Sequence, residues 1–573
     1  LSQLEAGFPK PGVTAASQTE SLTMRIAWLA ANASYVHSSL ALPLLHASAV
    51  ERVEAEWLAV QVGVKDDVGI AAAALAAFEP DVVAATLYLF NRRFVLDVLG
   101  RVKVLCPHSC VIVGGPECLG ENETFLRRFP AVDVAVRGEG ENVFGDWLNA
   151  VDSGHDWGEL QGLCWLDGEG AYHDNGTARP VSDFSMLPAP ESSHFFDWSK
   201  PFVQLETSRG CTQTCSFCTS SGSGPVRRLP LDAVASRLAV IREHGIEEVR
   251  ILDRTFNADP QRCAALLRLF REQFPAIRFH LEIHPVFLTP VVRRELAAAA
   301  PGQLHIEAGL QTSCVPALNA VKRNSDVDRA LKGVRFLCDA QNLAVHIDLL
   351  AGLPGQSLAD VFADVTDLTR YAPDEIQLEL LKVLRGTPLH TEADELGLAF
   401  APAPPYEVLR TPQMTLDDMA AVRQLSAVVD LYHNQPSLRS CVRLAVGEDA
   451  GFYTDLLAFL RERGEVDSRP SLQRRFRAFY DWARARSAAV TDRLELEWLR
   501  RGLSASHGLG RASRWTADIP GDAVLMEGEE SNALVGRKLR VWHLRQSGSE
   551  HWFVFTGGKA AGQGAVAVFT RES

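Results

Sequence analysis

The sequence predicts an α/β chain in three parts: an N-terminal Rossmann-like domain, a partial (β/α) barrel, and a mostly α-helical C-terminal region with a terminal β hairpin. Three observations carry that reading. Over residues 24–150, short apolar runs alternate with helix-length stretches, as a parallel sheet covered on both faces requires. About six further strand–helix repeats follow in residues 201–395, which fits an open relative of the eight-fold barrel. Beyond residue 396 the pattern changes to charged helices and closes with two strand-like runs.

The composition bounds the function. The chain has 573 residues, 57 Lys and Arg against 71 Asp and Glu, and a net charge of −14. An acidic balance disfavours a general nucleic-acid binder, which needs a basic face for phosphates. With 47% hydrophobic and 22% charged residues, the chain has the balance of an ordinary globular protein. Its 11 cysteines are too sparse for a disulfide scaffold and point to a reducing cytoplasm. No apolar run reaches transmembrane length, so no membrane partner is expected. Residues 1–23 read as a disordered leader or an expression remnant, with Met24 as the expected native start.

Each element has a local reason. Met24 to Ala31 is a short run, apolar apart from Arg25, that suits a buried strand, and a helix-like stretch covers residues 38–55. Val82-Val83-Ala84-Ala85-Thr86-Leu87 is expected as the next strand, entering Tyr88 to Arg93. Val111-Ile112-Val113 leads into Gly114-Gly115-Pro116-Glu117, and Val132 to Val136 leads into Gly138-Glu139-Gly140-Glu141. Ligands bind beyond the carboxyl ends of such strands, where these polar and Gly-rich segments stand. Residues 151–200 read as a linker with a hairpin near Cys164-Trp165. The barrel strands are expected at 203–207, 248–252, 278–283, 303–308, 344–350 and 376–381, with helices such as 231–244 and 260–273 between them. The C-terminal part, 396–573, is expected to cap the barrel and select the substrate. Its helices are placed at 417–432, 450–463 and 472–486, and its hairpin at 538–544 and 551–556. Trp482, Trp498, Trp515, Trp542 and Trp552 are candidates for an aromatic pocket there.

The sharpest motif is Cys211-Thr-Gln-Thr-Cys215-Ser-Phe217-Cys218, on the loop after the first barrel strand. Three thiolates at this spacing hold three irons of a cubane and leave the fourth open to a small molecule. A zinc site is the rival, although zinc usually shows paired CxxC or Cys/His spacing and no second pair is present. Three buried structural thiols are the plainer alternative.

CxxxCxxC with an aromatic before the last Cys, at the first strand of a βα barrel, resembles the radical S-adenosylmethionine superfamily. The preceding parallel-sheet domain resembles the cobalamin-binding module of its cobalamin-dependent members. The resemblance implies a 4Fe–4S cluster on Cys211, Cys215 and Cys218, with S-adenosylmethionine on the open iron. Phe217, Asp253, Arg323 and Gly352 are the expected S-adenosylmethionine contacts. Tyr35, Ser38, Thr86, Tyr88, Asn91, Arg92, Gly114, Gly115, Pro116, Glu117, Gly138, Glu139 and Gly140 are the expected cobalamin contacts. No GxGxxG fingerprint follows the first strand, which disfavours a dinucleotide. The DxHxxG loop that supplies a lower axial histidine to cobalt is also missing, so Arg92 is a candidate for the lower face of the ring.

These cofactors imply a C-methyltransferase: a methyl passes from S-adenosylmethionine to cob(I)alamin and then to a substrate carbon. Within the family the chain most resembles the tryptophan 2-C-methyltransferases of thiostrepton-type antibiotic biosynthesis. Glu282 and Glu307 are the expected catalytic carboxylates for the released proton, beside Tyr35 and Tyr88. A non-methylating rearrangement or ring closure on the same cofactors is the alternative. The expected partners are a small-molecule substrate and an electron donor such as flavodoxin or ferredoxin, and a monomer is expected.

Overall fold

The computed structural model describes residues 23–221, 225–503, 509–511, 513–515, 517–528, 539–546, 548–556, 565 and 567–572. The leader expected at 1–23 lies outside these residues apart from Thr23.

The first sheet has seven strands: β1 (Met24–Asn32), β2 (Ala55–Gly63), β3 (Val82–Thr86), β4 (Cys110–Gly114), β5 (Val134–Val136), β6 (Leu163–Leu166) and β7 (Tyr172–Asp174), in the order β2-β1-β3-β4-β5-β6-β7. The first five are parallel, and β6 and β7 join antiparallel. Side-chain alternation splits each central strand between two cores. Ile26, Trp28, Val82, Ala84 and Ile112 enter one, and Ala27, Leu29, Val83, Ala85 and Val111 enter the other. Both faces therefore need helices, which the connections supply.

Two expectations change here. The helix placed over 38–55 is shorter, Ala41–Ala49, and a strand was missed at Ala55–Gly63. That strand lies at the sheet edge and is largely half-buried, and its apolar run is confined to Trp57–Val60 between Glu56 and Gln61. The stretch read as a linker carries the expected hairpin, but the hairpin extends the first sheet as far as Asp174.

The second sheet is all parallel: β8 (Val203–Leu205), β9 (Glu248–Ile251), β10 (Arg278–Ile283), β11 (Leu304–Gln311), β12 (Leu343–Ala351) and β13 (Glu375–Leu380), arranged in sequence order. Six strands make a partial barrel, as expected. Along β11, Leu304, Ile306, Ala308 and Leu310 are buried in the core, while His305, Glu307 and Gln311 alternate to the other face. Asp259 caps helix Pro260–Gln273 by accepting from Gln261 N and Arg262 N, and Pro260 takes the first helical position.

The C-terminal helices Leu416–Val428, Pro436–Glu448, Phe452–Glu462, Leu472–Ala483 and Ala488–Arg500 share one continuous core with the barrel. The first three pack along β13 and helix Leu358–Tyr371, and Leu472–Ala483 and Ala488–Arg500 pack on them. Trp482, Trp498 and Trp552 are buried in cores, so the aromatic pocket expected of them does not form; Trp542 packs against the main core. The Trp515 side chain lies outside the described residues. The terminal hairpin is the centre of a five-stranded antiparallel sheet that also contains Ser513–Trp515, Val524–Gly528 and Ala567–Glu572.

A buried clasp joins the first sheet to the segment after β13. Tyr406 Oη donates to Glu117 Oε2 at 2.7 Å, Arg92 pairs with the same oxygen at 3.3 Å and donates to Tyr406 Oη, and its guanidinium lies against Phe125 and Phe129. Beside it Gly386 has φ +75°, and a Cβ there would stand 2.7 Å from Leu119, so only glycine admits the contact. Tyr406→Phe removes the buried donor and is expected to cost about 2 kcal/mol in urea unfolding. A loss below about 0.5 kcal/mol would show that the clasp adds little.

Candidate active site

The carboxyl ends of the two parallel sheets meet at one cleft of about 670 Å³. The first sheet contributes Ser38, Thr86, Tyr88, Asn91, the turn Gly114–Gly115–Pro116 and the turn from Gly138 to Glu141. The barrel contributes Gln204, Glu206, Arg209, Leu252 and Arg254. Tyr88 records the meeting: burial raises its hydroxyl pKa, Glu206 raises it further, and Arg254 pulls it down. Among the described residues, those that line the cleft all precede residue 255.

The glycines earn their place by clearance. Gly115 has φ +99°, and a Cβ there would meet Thr86 Cγ2 at 2.7 Å and Leu87 O at 2.8 Å. Gly138 has φ +103°, and a Cβ there would lie 3.0 Å from Thr177 and 3.1 Å from Ala178. Asn91 uses its amide to tie strand ends, donating to Ala31 O and Thr86 O and accepting from Tyr88 N.

Three expected cobalamin contacts lie elsewhere. Tyr35 is 81% exposed, under Lys200 Nζ, and does not line the cleft. Glu117 and Arg92 are turned into the clasp with Tyr406, because a buried carboxylate takes the nearest cation and hydroxyl. Arg92 therefore does not face the cleft as a lower-face or catalytic group.

The cysteine loop leaves the end of β8. Thr207 and Ser208 give backbone N–H and hydroxyl hydrogen bonds to Asp253, at 2.6 to 2.9 Å. Asp253 is buried and fully engaged, so it anchors the loop in place of the expected contact with the methionine amino group. Residues Ser208–Arg209 pair with Arg227–Arg228, closing the base of the loop. Thr255 Oγ1 lies 3.4 Å from Cys211 Sγ, and Arg323 Nη1 donates to Cys215 Sγ at 3.5 Å while Nη2 donates to Gly309 O. Arg323 thus backs a thiol where a carboxylate partner was expected. Burial pushes the Cys215 thiol pKa up, against the pull of Arg323. Phe217 is half-buried on the core, and Gly352, at φ +86°, packs against Met419 with its N–H held by Gln356. Among the described residues no three His, Cys, Asp or Glu side chains converge on one metal-ion position.

The barrel interior carries a row of acids and imidazoles. Register places Glu282 beside Glu307 and Glu307 beside His346. His280 Nε2 lies 2.8 Å from Glu307 Oε2, and His346 Nε2 lies 3.2 Å from Asp348 Oδ1. Burial raises Glu282 to about 7, with Arg254 opposing and Glu307 adding to the shift. Burial also acts to raise Glu307, but His280 and His346 hold it below the usual carboxylate range. Burial and the neighbouring His280 and His346 lower His305 to about 4. The sequence offered Glu282 and Glu307; Glu206, Arg209 and Arg254 were not read as cleft residues, and Arg209 finds Glu139 and Glu141 on the other sheet.

Comparison with known proteins agrees with this order of domains. Residues 27–147 match the B12 binding domain family, 205–368 the radical SAM superfamily, and 394–507 a family described as a protein of unknown function, DUF4080. The uncharacterized methyltransferase PH0819 of Pyrococcus horikoshii is 29% identical over 34% of this chain and 44% of its own length. The cobalamin-dependent radical SAM methyltransferase TokK of Streptomyces tokunonensis is 24% identical over 57% of this chain and 51% of its own. The chain thus spans about half the length of these curated relatives. The structure of the radical S-adenosylmethionine methyltransferase TsrM from Kitasatospora setae, with cobalamin and a 4Fe–4S cluster bound, superposes with TM-score 0.55 and 18% identity over 67% of this chain and 78% of that one, which shows a shared fold.

Glu282 supplies a pH prediction. A carboxyl whose folded pKa is raised favours the folded state at low pH and loses that stabilisation as pH rises from about 4.5 to about 7. Glu282→Gln is therefore expected to gain stability relative to the parent between about pH 5 and about pH 8 in urea titrations. Equal pH dependence of the two proteins would contradict the raised carboxyl.

Proposed function

We propose that the chain is a cobalamin- and S-adenosylmethionine-dependent C-methyltransferase with a 4Fe–4S cluster on Cys211, Cys215 and Cys218. The observation that supports it most is spatial: Arg209, at the base of the cysteine loop, lines the same cleft as Gly114, Gly115 and Gly138. The glycines let these turns pack against their own neighbours, Gly115 against Thr86 and Leu87 and Gly138 against Thr177 and Ala178, and a cluster needs the loop that Asp253 fastens. Relatives named as methyltransferases favour methyl transfer over a rearrangement on the same cofactors.

When bound, these cofactors supply the methyl group, the cobalt that carries it and the electrons that reduce it. The chain's own part is to hold, shield and take up a proton. Thr86, Tyr88 and the Gly114–Pro116 turn form the wall on the side of the first sheet, and Arg254 and Glu206 form the barrel side. Glu282, with a pKa near neutrality beside Glu307, suits a carboxylate that accepts a proton from a substrate carbon. We assign tryptophan as substrate and carbon 2 as the methyl acceptor. Support for this finer assignment is the fold shared with TsrM, a protein with a tryptophan-bound structure. A flavodoxin or ferredoxin as electron donor belongs to the same proposal.

The test is anaerobic reconstitution with iron, sulfide and hydroxocobalamin, then addition of free tryptophan and S-adenosylmethionine with a deuterated methyl. Labelled methyltryptophan without 5′-deoxyadenosine is the expected product. Unlabelled tryptophan alone would remove the substrate assignment, and zinc in place of iron would remove the cluster. Replacing any one of Cys211, Cys215 and Cys218 with Ala is expected to abolish the cluster absorbance and its iron.

A further inference from the structure

Two arginines fasten the cysteine loop to the first sheet. Arg209 Nη1 lies 2.6 Å from Glu141 Oε1 and 3.6 Å from Glu139 Oε2, while its Nε and Nη2 donate to Glu206. Arg227, its cross-strand partner, donates from both terminal nitrogens to Glu139, at 2.8 and 2.5 Å, and also to Val181 O. Glu139 and Glu141 stand in the glycine turn that lines the cleft, and Arg209 lines it too. Gly210, at φ +94°, is the single residue between this ion network and Cys211. Glu141 is buried, Arg227 and Arg209 are 9% and 13% exposed, and Glu206 and Glu139 are 19% and 22% exposed, so the network is largely shielded from water. Buried pairs of this kind are costly to break and directional, so they pass on displacement where surface pairs would not.

We infer that Arg209 is a positioning residue that couples occupancy of the cleft to the geometry of the cysteine loop. A ligand that fixes the Gly138–Glu141 turn fixes Glu139 and Glu141, and through them Arg209, Arg227 and the base of the loop. The coupling is reciprocal, so filling the loop with its cluster must tighten the cleft by the same factor. The inference rests on the proposed cobalamin site and adds a thermodynamic link between the two cofactors.

The probe is hydroxocobalamin, titrated by absorbance and fluorescence into the full chain with and without the reconstituted cluster. The expected result is at least ~5-fold tighter binding to the cluster-loaded protein. Hydroxocobalamin should also slow hydrogen exchange in the peptide over residues 206–221 of the unmodified chain. Arg209→Gln should bring the two dissociation constants together, and Arg209→Lys should restore only part of the difference, since lysine cannot span Glu206 and Glu141 at once. Glu139→Gln, which loosens the Arg227 limb, is the second variant if Arg209→Gln fails to fold. Equal affinities in both states of the unmodified chain, with unchanged exchange over 206–221, would overturn the coupling and leave the cobalamin site standing. No hydroxocobalamin binding in either state would overturn the site and the coupling together.

Discussion

Two parallel sheets can share one site only if their carboxyl ends are held facing each other. In this chain buried arginine–carboxylate pairs do the holding. Arg209 and Arg227 join the barrel to Glu139 and Glu141, and Arg92, Glu117 and Tyr406 close the structure on another side. Charges taken out of water must be paired at good geometry, and each such pair fixes an orientation that apolar contact alone would leave free. The cleft, the glycine turns and the cysteine loop all take their positions from this fastening.

The same constraint explains what was legible in the sequence. The five buried strands of the first sheet are apolar, because a sheet covered on both faces has no polar side to show. The barrel strands instead alternate apolar core residues with a polar inner face, as Leu304, Ile306 and Ala308 do with His305 and Glu307. The cysteine spacing was equally plain, since one short loop must wrap one centre. Strand Ala55–Gly63 was missed: it is a partly exposed edge strand whose apolar run, Trp57–Val60, is cut short by Glu56 and Gln61.

Site residues were legible in proportion to how local their partners are. Gly115 and Gly138 could be read because positive φ leaves a composition signal. Asp253, Glu117 and Arg92 were placed near the right strand ends but given the wrong task. Their hydrogen bonds go to Thr207, Ser208 and Tyr406, and no sequence pattern announces which polar group a buried carboxylate will meet. Arg323 follows the same rule, reaching Cys215 and Gly309. The acid and histidine row of the barrel was only half visible, because Glu282 and Glu307 gain their character from His280, His346 and Asp348 on neighbouring strands.

The central claim is that one cleft brings the cobalamin side and the cluster side of the chain together. Electron paramagnetic resonance of the full chain, loaded with both cofactors and reduced to cob(II)alamin and the one-electron-reduced cluster, tests it most directly. The account predicts mutual dipolar broadening and faster relaxation of both signals, compared with protein carrying either cofactor alone. Two signals that simply add, with the line widths and relaxation of the singly loaded proteins, would contradict it.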